Sequence, residues 1–201
     1  MDQAQPASVA PIINITGEKT LLGPVRHDLL PLYLRWNNDF EVNRTRIFTW
    51  RPITHEAAQA WYQRISQEEG IGSITFTIYE RTTLQPIGLT YLFDIDYFSR
   101  TAEYGIVIGE RACWGKAYGT EVTTLMLDFG FTGLCLHHIR LRTISFNTRG
   151  TRAYTRAGFR LVGRWREAHR FGGRAYDVIL MDCLASEFSS PVLHTLVPHD
   201  E

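Results

Sequence analysis

Three small residues at alternate positions, Gly115, Ala117 and Gly119, lie in the stretch WGKAYGTE. Before it runs YGIVI (104–108); after it Val122, Leu125, Met126 and Phe129 recur at helical spacing. A strand that turns through small residues into a helix leaves backbone N–H groups unpaired at the helix start, where the helix dipole favours an anion. The chemistry predicted here is the holding of a diphosphate, with Trp114, Tyr118 and Thr120 in the same turn and Lys116 adding a point charge. The plainer reading of the same spacing is a glycine-rich turn with no ligand.

Two familiar phosphate loops fail against these residues. A P-loop needs GxxxxGK followed by a hydroxyl for magnesium, but five residues separate Gly109 from Gly115 and Ala117 stands at the hydroxyl position. The dinucleotide fingerprint GxGxxG fails too, because Gly115 and Gly119 lack a third glycine at the required spacing. Neither nucleotide hydrolysis nor a nicotinamide cofactor is supported.

The elements that must position this turn are legible around it. HDLLPLYLRWNND (27–39) reads as a short helix with Pro31 in its first turn, and Thr54 as the N-cap of a second helix presenting Ala58, Trp61, Tyr62 and Ile65 on one face. Gly70 and Gly72 end that helix. Three strand-like runs follow, 73–80, 87–96 and 101–109, as a meander. The helix after the turn is expected to close at Gly133 as a C-cap, and 137–146 alternates as a strand. Asn147 to Ala157 is a helix ending at Gly158, and two strands joined by Gly172–Gly173 form a hairpin. With one short strand before the first helix, the whole is a mixed α/β (α+β) domain, a mostly antiparallel sheet flanked by helices. The expected organisation is a loose arm at 1–11, one domain at 12–184 and a tail at 185–201, whose Leu193, Leu196 and Val197 are candidates for docking on a second subunit of a homodimer.

Composition bounds the function. The chain has 201 residues, 44% of them hydrophobic, enough for one domain with a substantial core. Lys+Arg and Asp+Glu both count 21, which argues against a nucleic-acid module working by bulk charge. Cys113, Cys135 and Cys183 form no CxxC pair, so neither a disulfide framework nor a zinc site is expected. No run approaches the roughly 18 apolar residues of a membrane span, and the first residues lack signal-peptide features. A cytoplasmic protein with no membrane, nucleic-acid or metal partner is the expectation. His137 and His138 are adjacent on a strand and face opposite ways, so they do not converge on a metal.

Downstream of the turn, NTRGTRAYTRAGF (147–159) closely resembles the NxRAxxxYxxxGF segment of the GNAT superfamily, with Asn147, Arg149, Tyr154, Gly158 and Phe159 in register. WGKAYGTE resembles that family's diphosphate motif, [Q/R]xxGxG/A, departing from it at Trp114 and Ala117. AEYGIVIG and the hairpin GRWREAHRFGGRAYDVILM are similar to the flanking strand and closing hairpin of the branch containing spermidine and ribosomal-protein N-terminal acetyltransferases. The resemblance covers about residues 15–184. It implies acetyl-CoA as cofactor and direct acetyl transfer to a primary amine on a peptide N-terminus, amino sugar or other small molecule. Implied roles are Glu103 as base, Tyr154 as acid for the CoA sulfur, and Asn147 on the pantetheine arm or as a helix cap. Ile106, Val107 and Ile108 would pair the pantetheine through their backbone, while Arg149 and Arg152 would reach phosphates. The acceptor groove would draw on Trp36, Asp39, Glu41, Trp50 and Trp61 on one side and Arg166 on the other. A polyamine groove should be richer in acids, so a peptide or amino sugar ranks first. The alternative is a non-catalytic CoA-binding sensor or scaffold on the same fold.

Overall fold

The computed structural model describes residues 10–47, 51–67 and 72–197. Two short strands open it, β1 (Ile15–Thr16) and β2 (Thr20–Pro24), where one was expected. Helix α1 (Leu30–Asn38) carries Pro31 in its first turn, where no intrahelical N–H is needed. A four-residue helix the sequence did not reveal, α2 (Phe40–Asn43), follows, capped by Asp39. Helix α3 (His55–Gln67) starts where Thr54 Oγ1 accepts from the Ala57 N–H at 3.2 Å. The expected meander is β3 (Ser73–Glu80), β4 (Pro86–Asp96) and β5 (Thr101–Ile108). Then come α4 (Tyr118–Asp128), β6 (His138–Ile144), α5 (Thr148–Ala157), β7 (Arg160–Phe171) and β8 (Arg174–Leu184).

The eight strands form one sheet in the order β1-β2-β3-β4-β5-β6-β8-β7, antiparallel except for the β5–β6 pair. Helices lie on both faces. Leu89 and Leu92 of β4 point to opposite sides by alternation. Leu92 joins the main core with Val122, Leu125 and Met126, the α4 stripe seen in the sequence. Leu89 joins Leu30, Tyr33, Trp36 and Ala58, which seats α1 and α3 on the other side.

Helix α4 does not end in a left-handed Gly133. It widens into a five-residue π-turn, Phe129–Gly133, and the residue with positive φ is Cys135, at 54°. Gly130 lets this turn sit on the sheet: a Cβ there would come within 2.5 Å of Ile139 Cδ1. Gly158 does cap α5 as expected, with φ at 118°.

Residues 185–197, within the expected tail, pack against the domain. Asp128, fully buried at the end of α4, accepts from Ser190 Oγ at 2.5 Å, from the Val192 and Leu193 N–H groups at 2.9 Å each, and from Thr132 Oγ1 at 3.0 Å. Phe188 packs on Phe131 at 5.5 Å between ring centroids, and Leu193 is buried. Leu196 and Val197 stay exposed. A buried carboxylate with four donors is costly to remove, since each donor left without a partner loses about 1–3 kcal/mol. Asp128→Ala is expected to lower stability by about 3 kcal/mol in total. Thermal unfolding should shift down by roughly 6–12 °C for a chain of this size, and limited proteolysis should cut first within 185–197.

Candidate active site

The site begins where the sheet splits. Strands β5 and β6 pair only at Thr101↔His138, Ala102↔Ile139 and Glu103↔Arg140. Beyond Glu103, β5 stays paired to β4 as far as Ile108, and β6 stays paired to β8 as far as Ile144. Their facing edges diverge, and the β5 edge meets no partner strand. The Gly109 N–H donates to Ile87 O at 2.8 Å, so by two-residue alternation Val107 turns its backbone to β4 while Ile106 and Ile108 turn theirs into the fork. Val107 therefore has no backbone group to offer a ligand arm, contrary to expectation. The Ile108 carbonyl is also taken, accepting from Trp114 Nε1 at 2.8 Å. The fork-facing groups that meet no strand are the Ile106 N–H and C=O and the Ile108 N–H.

The turn into α4 leads from the fork. Gly115 and Ala117 both have positive φ, at 79° and 68°, and Ala117 is the N-cap without a side-chain bond. The Thr120 and Glu121 N–H groups donate back to Ala117 O at 3.1 and 3.2 Å. The first-turn amides left for a ligand are those of Tyr118 and Gly119; the Thr120 amide is spent. Gly119 is held by neither backbone angle nor crowding, because a Cβ there would meet nothing within 4 Å. That opening lies in the cleft, where a side chain would fill the cradle.

Lys116 does not line the cleft. Its charge bears on Glu80, whose pKa is held below the usual glutamate range first by the hydrogen bond from Tyr118 and then by one from Thr83. The Tyr118 hydroxyl donates to Glu80, and that bond, ahead of burial, pushes its pKa up to about 12.

Helix α5 closes the cleft from the other side. Asn147 Oδ1 accepts from the Gly150 N–H at 3.1 Å and Nδ2 donates to Thr143 Oγ1 at 3.0 Å, so Asn147 is a helix cap first. Tyr154 lies edge-on to Tyr104 and Phe159, each at 6.3 Å between centroids, and its hydroxyl has no hydrogen-bond partner among the described residues. Burial drives its pKa far above the ordinary phenol value. The cleft between these elements, 280 Å³, is lined by Arg46, Arg149, Arg152 and Arg156 and, among the described residues, by no Asp or Glu. Arg149 holds its guanidinium 4.0 Å over the Trp114 ring.

Glu103, expected as the base directly or through water, sits at the last paired position of the fork. It is 5% exposed, does not line the cleft, and its carboxylate binds Arg142 Nε at 2.7 Å and Arg140 Nε at 3.5 Å. To take a proton directly it would have to release two guanidinium groups. Of the acceptor-groove expectations, Asp39, Glu41 and Arg166 line neither the cleft nor the hollow beside it. Trp36 is 3% exposed, its Nε1 donating to Glu110 Oε1 at 2.8 Å, and it lines that hollow. Asp39 caps α2 and pairs with Arg111 at 3.5 Å. Glu41 faces solvent near Arg44 at 4.0 Å, and Arg166 lies in a separate hollow with Arg164, Trp165 and Asp177. Trp50 lies outside the described residues.

A second hollow, 880 Å³ between α1, α3 and the sheet, meets the cleft at Arg46 and Val107. Trp61, expected from the sequence, is in its wall; Tyr91, Phe93, Arg64 and Arg142 are residues the sequence reading missed. Asp94 is the one acid in that wall among the described residues. The signal for Arg142 was the alternation of 138–144, which sets His138, Arg140 and Arg142 on the face opposite Ile139 and Leu141. His138 Nε2 bonds Asp182 at 3.1 Å, and among the described residues no three His, Cys, Asp or Glu converge as a metal site.

The site thus combines a fork in the sheet, the helix start at Tyr118 and Gly119, and a tyrosine beside both. Residues 19–160 match the acetyltransferase (GNAT) domain. The chain belongs to the GNAT family. Among GNAT relatives it is 34% identical over 102 residues to the spermidine N(1)-acetyltransferase of Vibrio cholerae, covering 51% of this chain and 58% of that protein. It is 30% identical over 114 residues to an uncharacterized N-acetyltransferase, p20, of Bacillus licheniformis, covering 57% and 64%. The match thus spans somewhat over half the length of these relatives. The crystal structure of a Vibrio cholerae spermidine N-acetyltransferase in complex with CoA and spermine superposes with a TM-score of 0.78 at 24% identity, over 85% of this chain and 98% of that one. It shares the GNAT fold.

Two outcomes test the loop. Ala in the left-handed region costs about 1 kcal/mol, so Ala117→Gly is expected to raise stability in urea by about 0.5–1 kcal/mol despite the freer unfolded chain. The Tyr118–Glu80 bond has a defined sign with pH. Glu80 has a folded pKa below its unfolded one, so the stabilisation is present above the usual glutamate range and is lost as the pH falls through the folded value. The stability gap between wild type and Glu80→Gln should be full at neutral pH and close on acidification.

Proposed function

We propose that this GNAT-family protein is an acetyl-CoA-dependent N-acetyltransferase whose acceptor is an α-amine, as on a peptide N-terminus. The observation that carries the reading is one convergence. The unmatched edge of β5, the Tyr118 and Gly119 amides and the Tyr154 hydroxyl share a single cleft. Its four arginines without an acid suit the charge of a diphosphate ligand. The bound donor would supply a thioester as the acyl source.

Tyr154 is the proton donor in this proposal. Its phenol stays protonated across the working range because burial opposes its charge, and no described residue hydrogen-bonds its hydroxyl. As the amine nitrogen bonds to the thioester carbon and the carbon–sulfur bond breaks, Tyr154 gives its proton to the departing sulfur. The fork-facing N–H groups of β5 supply the hydrogen bond that the carbonyl oxygen needs as it gains charge. Asn147 keeps α5, and with it Tyr154, in place.

The acceptor follows from Glu103. With that carboxylate engaged by two arginines, no unpaired carboxylate lines the fork among the described residues. A lysine-like or polyamine nitrogen of pKa ~10.4 costs about 4.6 kcal/mol to present neutral at pH 7, whereas an α-amine near 7.8 costs about 1 kcal/mol. Only the second is affordable without a base. Among the described residues the aromatic groove carries Arg46 and Arg64 against Asp94, with Arg142 already paired to Glu103, so it is not the acid-rich surface a polycation needs.

The test is release of CoA from acetyl-CoA by the purified protein over a panel of α-amino peptides, amino sugars and spermidine. Peptides should be turned over fastest. Tyr154→Phe should lower kcat about a hundredfold with CoA binding intact, while Glu103→Gln stays within about tenfold of wild type. With Tyr154 ionising far above pH 10, the rate with a peptide should rise to a plateau near pH 8–9 as the amine deprotonates. CoA binding without release on every amine would replace the enzyme with a binding protein. Spermidine as the fastest acceptor would overturn the α-amine assignment.

A further inference from the structure

The residue that departs furthest from the family's diphosphate motif, Trp114, is built into the cleft by two contacts. Its indole N–H donates to the Ile108 carbonyl, and its ring face carries the Arg149 guanidinium at 4.0 Å. Trp114 thereby ties the end of β5 to the turn before α4, and reaches across to α5.

Arg149 sits where folding alone would not put it. It is the second residue of α5, in the first turn, where the helix dipole disfavours a cation. Burial and the like charge of Arg44 both pull its pKa below the ordinary arginine value. Among the described residues the lining of the cleft offers no carboxylate to answer it. A cation held against three opposing effects on an aromatic face lacks a negative partner. The groups around it, the free amides of Tyr118 and Gly119 and the room beside Gly119, are those that receive an anion.

We propose that Trp114 and Arg149 form a clamp on the donor's diphosphate, the indole being the platform that holds the guanidinium over the phosphates. Arg149 is the binding group; Trp114 is a positioning residue that acts through it. The clamp sets donor affinity and leaves the transfer step alone. It stands in for the polar side chain that the family motif places at position 114, and it rests on the reading of the cleft as the CoA site.

The experiment measures binding of CoA and of pantetheine, which lacks the diphosphate, to wild type, Arg149→Ala, Trp114→Ala, Trp114→Phe and the Arg149/Trp114 double alanine variant. Arg149→Ala should weaken CoA binding about tenfold to a hundredfold, the range of a lost charge-assisted hydrogen bond, with pantetheine unchanged. Trp114→Phe, which keeps an aromatic face, should stay within about threefold of wild type. The double variant should bind no more weakly than Arg149→Ala alone, because both changes remove one interaction. In turnover, KM for acetyl-CoA should rise with kcat unchanged. Equal CoA affinity in Arg149→Ala and wild type overturns the clamp while leaving the donor site standing. Equal losses for CoA and pantetheine, or additive losses in the double variant, also overturn it by showing a structural role. A wild type that binds no CoA removes the donor site itself.

Discussion

The fork between β5 and β6 is the constraint on which the rest of the site depends, and a single carboxylate sits at its vertex. Glu103 lies at the last paired position, bonded to Arg140 opposite it and to Arg142 one repeat further along β6. Tyr104, the next residue, turns to the opposite face by strand alternation. There its ring stacks on Phe159 at 5.9 Å and its hydroxyl meets Thr123 Oγ1 at 2.9 Å, so α4 and α5 fill that side of the split. One face pins the strands together by charge and the other parts them by volume. Taking an ion pair out of water is expensive, and a buried carboxylate is held only where its hydrogen-bonding capacity is met. Two guanidinium groups answer the charge of Glu103 there.

Helix α4 shows how the remaining acids are kept away from the cradle. Glu121, in its first turn, would oppose an anion if it faced the cleft. Its carboxylate instead reaches back to the β1–β2 turn, accepting from the Glu18 and Lys19 N–H groups at 2.7 and 2.9 Å and from Thr20 Oγ1 at 2.6 Å. Asp128 binds the C-terminal segment at the other end. Both carboxylates of the helix are consumed in fixing its position, so its N-terminus presents amides and no competing negative charge. The same contacts make the helix rigid at both ends, which is what a cradle of backbone groups requires.

What the sequence disclosed was local. The bounds of β3, the cap at Asn147, the left-handed Gly158 and the Gly172–Gly173 hairpin were all legible, because alternation, capping and turn preference act over a few residues. What it hid was set by partners far along the chain. Asp39 looked like a groove residue, but Arg111 claims it from more than 70 residues away. The hold of Arg140 and Arg142 on Glu103 was hidden in the same way. The end of α4 was misread for the same reason: its π-turn fits Gly130 to Ile139 and holds Thr132 on Asp128, and neither contact has a local signature. Motif register survived translation into space better than residue type did. Asn147, Arg149 and Tyr154 all line the cleft, whereas the acids and aromatics chosen for chemistry alone mostly do not.

The charge pattern along the two hollows now sets which molecules can meet there. The cleft is cationic throughout, and Arg46, at the junction, carries that charge into the groove while bonding Asn37 and Asn43 through neutral oxygens. Among the described residues its charge is met by amides rather than by a carboxylate, whereas Arg142, on the sheet side, is answered by Glu103. In the proposed reaction the Arg46 charge would act on an acceptor ammonium nearby and favour its neutral form. Such an effect suffices for a nitrogen whose deprotonation costs about 1 kcal/mol and is weak for one that costs several times more.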